Sequence, residues 1–61
     1  MACDRRLKRD INCIGKIGKI PIYSFKYIWD DTEKIGPMAD EVERIYPDCV
    51  VYVGGYKAII P

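Results

Sequence analysis

The stretch PIYSFKYIW, residues 21–29, decides the fold because its side chains alternate in character. In an extended chain, one face carries the aromatic residues Tyr23, Phe25, Tyr27 and Trp29. The opposite face carries Ser24 and Lys26. A period of two residues with aromatic enrichment is typical of a half-buried β-strand, and Pro21 suits its first position, where no ladder donor is needed. We therefore predict an aromatic strand whose aromatic face forms the core.

Turn signals lie on both sides of this strand. Upstream, INCI at residues 11–14 is typical of a short extended piece. GKIGK at residues 15–19 predicts a turn or loop, because it contains two glycines. Downstream, DDTEK at residues 30–34 is polar and is interpreted as a turn. The predicted order is therefore strand, turn, aromatic strand and turn.

The next stretch, IGPMADEVERIYP at residues 35–47, has a helical period. Its apolar side chains form the narrow face of a two-turn helix, namely Met38, Ala39, Val42 and Ile45. Pro37 suits the first helical position, and the acidic residues Asp40 and Glu41 in the first turn complement the helix dipole. Pro47 is expected to end the helix. We expect Gly36, just before it, to adopt a positive φ.

The C-terminal part predicts a β-hairpin. CVVYV at residues 49–53 and YKAII at residues 56–60 flank Gly54 and Gly55, and a two-residue glycine turn between β-rich runs is a hairpin signal. We expect Gly55 to have a positive φ. Together the elements predict one α+β domain over residues 1–61, with an aromatic strand, one short helix and a C-terminal β-hairpin.

Length and charge limit the function classes. The chain has 61 residues and a formal net charge of +1. A domain of this size buries only about 60% of the surface that its unfolded chain exposes, so we expect oligomerisation to add stability. The small net charge gives no strong bias towards nucleic acid or a membrane. The longest apolar run, CVVYV, is too short to cross a bilayer, so we expect no membrane partner.

The three cysteines point away from metal and disulfide chemistry. The chain contains no histidine, so a structural zinc site would need a carboxylate as its fourth ligand, which is uncommon. We expect no metal and no cofactor. An odd number of cysteines without a CxxC pair favours a reducing compartment. Cys13 and Cys49 lie in extended apolar runs and are expected to be buried, inert thiols.

Several stretches in order resemble one family. CDRRLKRDI at residues 3–11 resembles S-D-x-R-L-K-x-x-I, the opening of the intramolecular chaperone domain found at the C-termini of bacteriophage tail spikes and tail fibres. The endosialidase tail spikes carry its best-known, self-cleaving version. IGPMADEVERIYPDCV at residues 35–50 resembles I-G-x-x-A-x-E-V-x-x-x-x-P-x-x-V. GYKAI at residues 55–59 is similar to the closing G-Y-K-x-V, and YSFKYIW at residues 23–29 lies where the family has a Y-x-F-x-Y strand.

The resemblance implies a trimeric folding aid of a phage or prophage tail-fibre type protein. Three such domains assemble, an upstream β-rich fibre folds, and the domain then cuts itself off before the serine of the opening motif. The implied dyad of this serine and a lysine falls on Cys3 and Lys8, so a cysteine replaces the family serine. The other matching positions are assigned to assembly or structure: Asp4, Arg5, Arg6, Leu7, Gly36, Ala39, Glu41, Val42, Pro47, Gly55 and Tyr56.

Further expectations follow from this resemblance. The family's long C-terminal helix has no counterpart up to Pro61, and only Met1 and Ala2 precede the bond that would be cut. We therefore expect self-association, most simply as a trimer, with an upstream tail-fibre segment as partner if the chain is part of a longer protein. The expected location is the cytoplasm of a bacterial host during assembly, or the virion tail if the domain is retained.

An active self-cleaving peptidase is the first alternative function. Residues five apart are separated by about 16 Å in a strand and face opposite sides, so Cys3 and Lys8 need a bent segment or a neighbouring chain to meet. Nearby arginines and burial would lower the pKa of Lys8, and the same cations would favour a thiolate at Cys3. The competing interpretation of Cys3 is a mobile terminal thiol.

The basic opening run has two further interpretations. Arg5, Arg6, Lys8 and Arg9 form a solvated end with ion pairs to Asp4 or Asp10, worth at most about 1 kcal/mol each. Alternatively, these four cations bind nucleic-acid phosphates weakly, although the aromatic residues are needed as core rather than as stacking platforms, so nucleic acid is not an expected partner. Glu41 is interpreted either as a partner of an N-terminal arginine or as a solvated helix acid.

Overall fold

The computed structural model describes residues 2–60, and over these residues it contains one α-helix and five strands in two antiparallel sheets. The strands and the helix are β1 (Lys8–Ile17), β2 (Ile20–Tyr27), β3 (Glu33–Gly36), α1 (Ala39–Ile45), β4 (Val50–Val53) and β5 (Tyr56–Ile59). Short 3-10 turns occupy Arg5–Leu7 and Pro47–Cys49. The α+β class is confirmed.

The first sheet contains the aromatic strand, β2, between β1 and β3. β1 is longer than predicted, because Gly15 does not turn the chain but lies opposite Ile22 within the ladder. The chain reverses at Gly18 and Lys19, which lie between the paired residues Ile17 and Ile20. Gly18 has a φ of 60°. A two-residue turn of this kind needs positive φ, which glycine adopts without steric cost.

The prediction of a turn over residues 30–34 is wrong at its end. Glu33 and Lys34 begin β3 and lie opposite Lys26 and Phe25 of β2. The polar character of this segment is compatible with an edge strand, since its first three residues are exposed and Glu33 faces an opposite charge across the ladder.

The helix begins later than predicted. Pro37 lies before it, and Met38 is the N-cap with extended backbone (φ −101°, ψ 131°). The N–H of Ala39 donates to the carbonyl of Cys3 at 2.9 Å, so the N-terminal segment satisfies a helix donor that has no partner within the helix. The helix ends at Ile45, before Pro47 as expected, but the Ile45 side chain is exposed rather than part of the buried stripe.

The C-terminal hairpin is confirmed. β4 and β5 pair around Gly54 and Gly55, whose φ values of 58° and 83° match the two left-handed positions of a type I′ turn. The matching expectation for Gly36 is wrong. Gly36 is a buried strand residue opposite Tyr23 and is not among the described glycines with positive φ.

The core is small and lies where the N-terminal segment, β2 and α1 meet. Its buried apolar residues among those described are Cys3, Phe25, Met38, Ala39 and Val42. Only part of the predicted aromatic face enters it. Trp29 lies beyond the end of β2 and is 63% exposed. It stacks on Tyr27 with ring centroids 4.8 Å apart, so the aromatic face continues outward from the core.

At the end of the first sheet that holds the β1–β2 turn, the described residues of that turn and of the adjoining part of β1 are not buried. Every residue from 12 to 19 is exposed, and we call this segment with its turn the distal hairpin. Ile14 and Ile17 are 54% and 72% exposed. Cys13 is exposed and Cys49 is half-buried, so the expectation of two buried thiols is wrong. No helix in the described part of the chain is long and apolar enough to cross a membrane.

Candidate functional site

The N-terminal segment bends between the two residues of the predicted dyad. The Asp4 carboxylate accepts from the N–H of Arg6 at 2.9 Å and caps the 3-10 turn Arg5–Leu7. The carbonyl of Leu7 then accepts from the N–H of Ile28 at 2.9 Å, which attaches the turn to the end of β2. Cys3 lies before this turn and Lys8 lies directly after it. The sequence required a bend here, and the 3-10 turn supplies it.

Lys8 is a buried amine, with 6% of its surface exposed. Its Nζ donates to the carbonyl of Pro37 at 2.9 Å and lies 3.8 Å from the centre of the Phe25 ring. Burial lowers the pKa of Lys8, the Cys3 thiolate opposes that shift, and the positive charge of Arg5 adds to it. The predicted direction for this pKa is confirmed, because desolvation penalises the ammonium form.

Cys3 is fully buried, so the interpretation as a mobile terminal thiol is wrong. Its N–H donates to the carbonyl of Lys57 at 3.3 Å, and its own carbonyl accepts from Ala39. Burial raises the pKa of the Cys3 thiol, and Lys8 only partly opposes this. The expected stabilisation of a thiolate is therefore also wrong, because desolvation outweighs the nearby positive charge. Burial favours the neutral forms of both members of the pair.

The peptide bond between Ala2 and Cys3 is held from both sides. The hydroxyl of Tyr27 donates to the carbonyl of Ala2 at 2.7 Å, while the N–H of the same peptide bond donates to Lys57. Ala2 also forms an isolated β-bridge with Ala58. The alternating pattern predicts Tyr27 only as a core residue and does not indicate this contact. The available signal was the hydroxyl itself, since a tyrosine on a buried face needs a polar partner.

Asp4 joins the opening motif to the C-terminal hairpin. Its buried carboxylate accepts from the Arg6 guanidinium at 3.0 and 2.8 Å and from the N–H of Lys57 at 3.0 Å. The hydrogen bonds from Arg6 hold the pKa of Asp4 far below its usual range. Arg6 continues to the hairpin, where it donates to the carbonyl of Gly55 at 2.8 Å and lies 4.8 Å from the centre of the Tyr56 ring.

Arg5 joins the same segment to the helix. It forms ion pairs with Asp40 at 3.3 Å and with Glu41 at 3.8 Å. The interpretation of Glu41 as a partner of an N-terminal arginine is thus confirmed. Arg9 pairs with Asp10 at 3.0 Å and with Asp31. All four cations of the basic run have an acceptor within the chain: Arg5, Arg6, Lys8 and Arg9.

The remaining predicted positions fall into two groups. Ala39 and Val42 are buried core residues of α1, Gly36 is a buried residue of β3, and Leu7 is half-buried at the end of the first 3-10 turn. Pro47 is exposed at the start of the second 3-10 turn. Among the described residues, no group of three or more potential ligands could hold a metal ion.

The amino-acid sequence matches one known family. Residues 3–51 match the family described as chaperone of endosialidase, a span that includes Cys3, Lys8, Tyr27 and α1. No curated protein and no solved structure matches the chain.

Proposed function

The chain belongs to the chaperone of endosialidase family, and on that premise we propose that it is an assembly module that acts by self-association. Three copies come together beside an upstream segment of a phage or prophage tail-fibre type protein and bring its chains into register. The module works in the cytoplasm of the bacterial host during assembly and stays in the virion tail if it is retained.

The observation that carries the proposal is the distal hairpin. An isolated two-stranded ribbon is marginally stable in water, yet residues 12–19 are all exposed among the residues that the structure describes, Ile14 and Ile17 included. Large apolar side chains left exposed within one short hairpin favour an interaction site there. A second copy supplies the missing cover without any further protein.

Further exposed apolar residues lie elsewhere in and beside the first sheet. Ile35 of β3 is 66% exposed, and Trp29 and Ile28 follow the end of β2. Burying such residues contributes about 1.5–3 kcal/mol for each large side chain. For a chain of this size, the free energy gained by burying a few of these side chains is comparable to the free energy of unfolding that the core alone provides.

The test is the dependence of mass and melting temperature on concentration. We expect sedimentation equilibrium of the full chain to give three times the mass of one chain, and the melting temperature to fall on dilution. Ile17→Asp should abolish association, while Lys19→Ser, on the adjacent turn, should leave it intact. A cooperatively folded monomer whose melting temperature ignores dilution would overturn the proposal.

We propose self-cleavage before Cys3 as a second candidate function, because Cys3 and Lys8 are both buried and flank one 3-10 turn. The neutral Lys8 amine takes the thiol proton while Sγ attacks the carbonyl carbon of Ala2. The bond from that carbon to the nitrogen of Cys3 breaks, and the nitrogen receives the proton from Lys8. The result is a thioester, which water hydrolyses to the Ala2 carboxylate and the free thiol.

This second function is tested with a β-rich fibre segment fused before the full chain. Cleavage should appear by mass spectrometry at the Ala2–Cys3 bond. Cys3→Ala and Lys8→Met should leave the fusion intact, because each removes one partner of the dyad. Cys3→Ser restores the family nucleophile. If neither the parent fusion nor Cys3→Ser is cut, self-cleavage is not a function of this chain.

A further inference from the structure

We infer that Tyr27 is a catalytic residue of this site, the donor that stabilises the oxyanion formed when the Ala2 carbonyl is attacked. The inference rests on the proposed self-cleavage and goes beyond its dyad. It assigns a third residue, on a different strand, to the chemistry at the bond before Cys3.

The first argument is the position of the hydroxyl. The Tyr27 oxygen lies 2.7 Å from the carbonyl oxygen of Ala2, although the two residues are 25 positions apart in sequence. The attacked atom in an N-to-S acyl shift is the carbon of that same carbonyl. The donor therefore already binds, before attack, the oxygen on which negative charge develops.

The second argument is that packing fixes the ring. Phe25 meets Tyr27 edge to face, with ring centroids 5.2 Å apart and planes at 80°. Trp29 stacks on it with planes at 6°. Tyr27 lies at the end of β2, where it pairs with Lys8 in the ladder. A donor held in this way does not reorganise during the reaction, which is the condition for electrostatic catalysis.

The third argument is that the substrate bond is held as firmly as the donor. The N–H of Cys3 donates to the carbonyl of Lys57, and the carbonyl of Cys3 accepts from the N–H of Ala39. Ala2 forms a β-bridge with Ala58. β5 and α1 thus hold the peptide bond from two directions. Such restraint keeps the carbonyl of Ala2 against the phenol instead of leaving it to rotate away.

The chemistry assigned to the phenol is hydrogen bonding without proton transfer. As Sγ adds to the carbonyl carbon, the carbonyl π electrons move onto the oxygen, and the phenol O–H binds the oxyanion more strongly than it binds the neutral carbonyl. When the C–N bond breaks, these electrons return and the Tyr27 proton is still on the phenol. Burial, followed by the charge of Cys3, raises the pKa of Tyr27, so the hydroxyl keeps its proton near neutral pH.

The test compares Tyr27→Phe with Tyr23→Phe in the fibre–domain fusion that carries the full chain. Tyr27→Phe keeps both ring contacts and removes only the hydroxyl. Tyr23 is the matched control, because it lies on the same face of β2 and its hydroxyl interacts with Glu41, which raises the pKa of Tyr23. We expect Tyr27→Phe to slow first-order cleavage about 10²–10³-fold, the cost of one lost oxyanion donor, and Tyr23→Phe to change it less than about threefold.

Rates are measured well below the melting temperature of each variant, so that loss of folding cannot imitate loss of catalysis. Equal rates for Tyr27→Phe and the parent overturn this inference and leave self-cleavage standing. An equal slowing by both substitutions also overturns it, since the effect is then not specific to the Ala2 carbonyl. An intact parent fusion together with an intact Cys3→Ser fusion overturns both proposals.

Discussion

The two ends of the β1–β2 hairpin both carry apolar side chains but place them in opposite environments. At the proximal end, Lys8 and Phe25 are buried under the N-terminal segment and α1. At the distal hairpin, Ile14 and Ile17 are exposed. The strand pattern therefore sets which residues share a face, whereas the segments that cover the sheet set which part of that face becomes core.

The largest expected effect lies at the proximal end. Phe25→Ala should destabilise the fold by about 3–5 kcal/mol, since it removes a fully buried aromatic ring and leaves a cavity. Because a small domain has little stability to lose, the variant should be unfolded by circular dichroism at room temperature. Ile17→Ala in the distal hairpin is the matched control and should shift a dilute denaturation midpoint only slightly. A folded Phe25→Ala variant would contradict the comparison.

The next effect concerns the contacts that close the proximal end. Asp4→Ala should cost about 2–3 kcal/mol, since it leaves the N–H of Lys57 without its acceptor and removes the cap of the first 3-10 turn. Chemical denaturation measures the loss. Asp31→Ala serves as control, because that carboxylate is 99% exposed and its ion pair with Arg9 is worth at most about 1 kcal/mol. Equal costs for the two variants would show that burial of Asp4 does not matter.

The same carboxylate predicts a pH dependence. Arg6 holds the pKa of Asp4 in the folded state below the value of about 3.9 that an unfolded chain has. The stabilisation is therefore complete above about pH 5 and is lost as the pH falls below about 4, because the unfolded chain takes up the proton first. Urea denaturation between pH 7 and 2 should show a steeper loss for the parent than for Asp4→Asn. Parallel curves would contradict the assignment.

A smaller loss of stability is expected when a glycine is replaced by alanine, and its size should differ between Gly55 and Gly15. Gly55→Ala should cost about 1–2 kcal/mol, because the residue has a φ of 83° and alanine resists the left-handed region. Its carbonyl also holds Arg6 at the proximal end. Gly15→Ala in the distal hairpin should change stability by less than about 0.5 kcal/mol, since nothing lies within 4 Å of an added methyl group. Thermal melts of both variants decide the matter, and a reversed order would contradict it.

The last prediction leaves the fold unchanged and concerns the rates at which the cysteine thiols are alkylated. In a dilute folded sample, an alkylating reagent should modify exposed Cys13 much faster than buried Cys3, whose raised pKa also lowers its thiolate fraction. Peptide mapping by mass spectrometry distinguishes the sites, and labelling in denaturant provides the reference in which all thiols react. Faster labelling of Cys3 would show that the N-terminal segment opens.

Much of the fold could be predicted because its signals are local. The alternation around Phe25, the helical spacing of Met38 and Val42, and the glycine pair before Tyr56 each report a backbone geometry. β3 could not be predicted this way, because its polar residues form a strand only through pairing with β2. The start of α1 was also misplaced, since Ala39 relies on the carbonyl of Cys3.

The opening motif predicts Cys3 and Lys8 as a dyad. The structure buries both side chains and places a 3-10 turn between them, and the dyad itself stays a prediction. The direction of the Cys3 pKa was predicted wrongly, because counting charges in a sequence ignores how deeply a thiol is buried. The Tyr27 hydroxyl indicates from the sequence only that a polar partner is needed, and nothing in either stretch identifies Ala2 as that partner.

Most element types, the glycine turns and the family can be read from the residue order, because these depend on residues that are close neighbours along the chain. Long-range contacts set which apolar residues are buried, which pKa values rise or fall, and which groups meet at the Ala2–Cys3 bond. Those outcomes depend on contacts such as Asp4 with Lys57, 53 residues apart. Desolvation and hydrogen bonding act through space, and the order of residues alone does not specify the distances on which they depend.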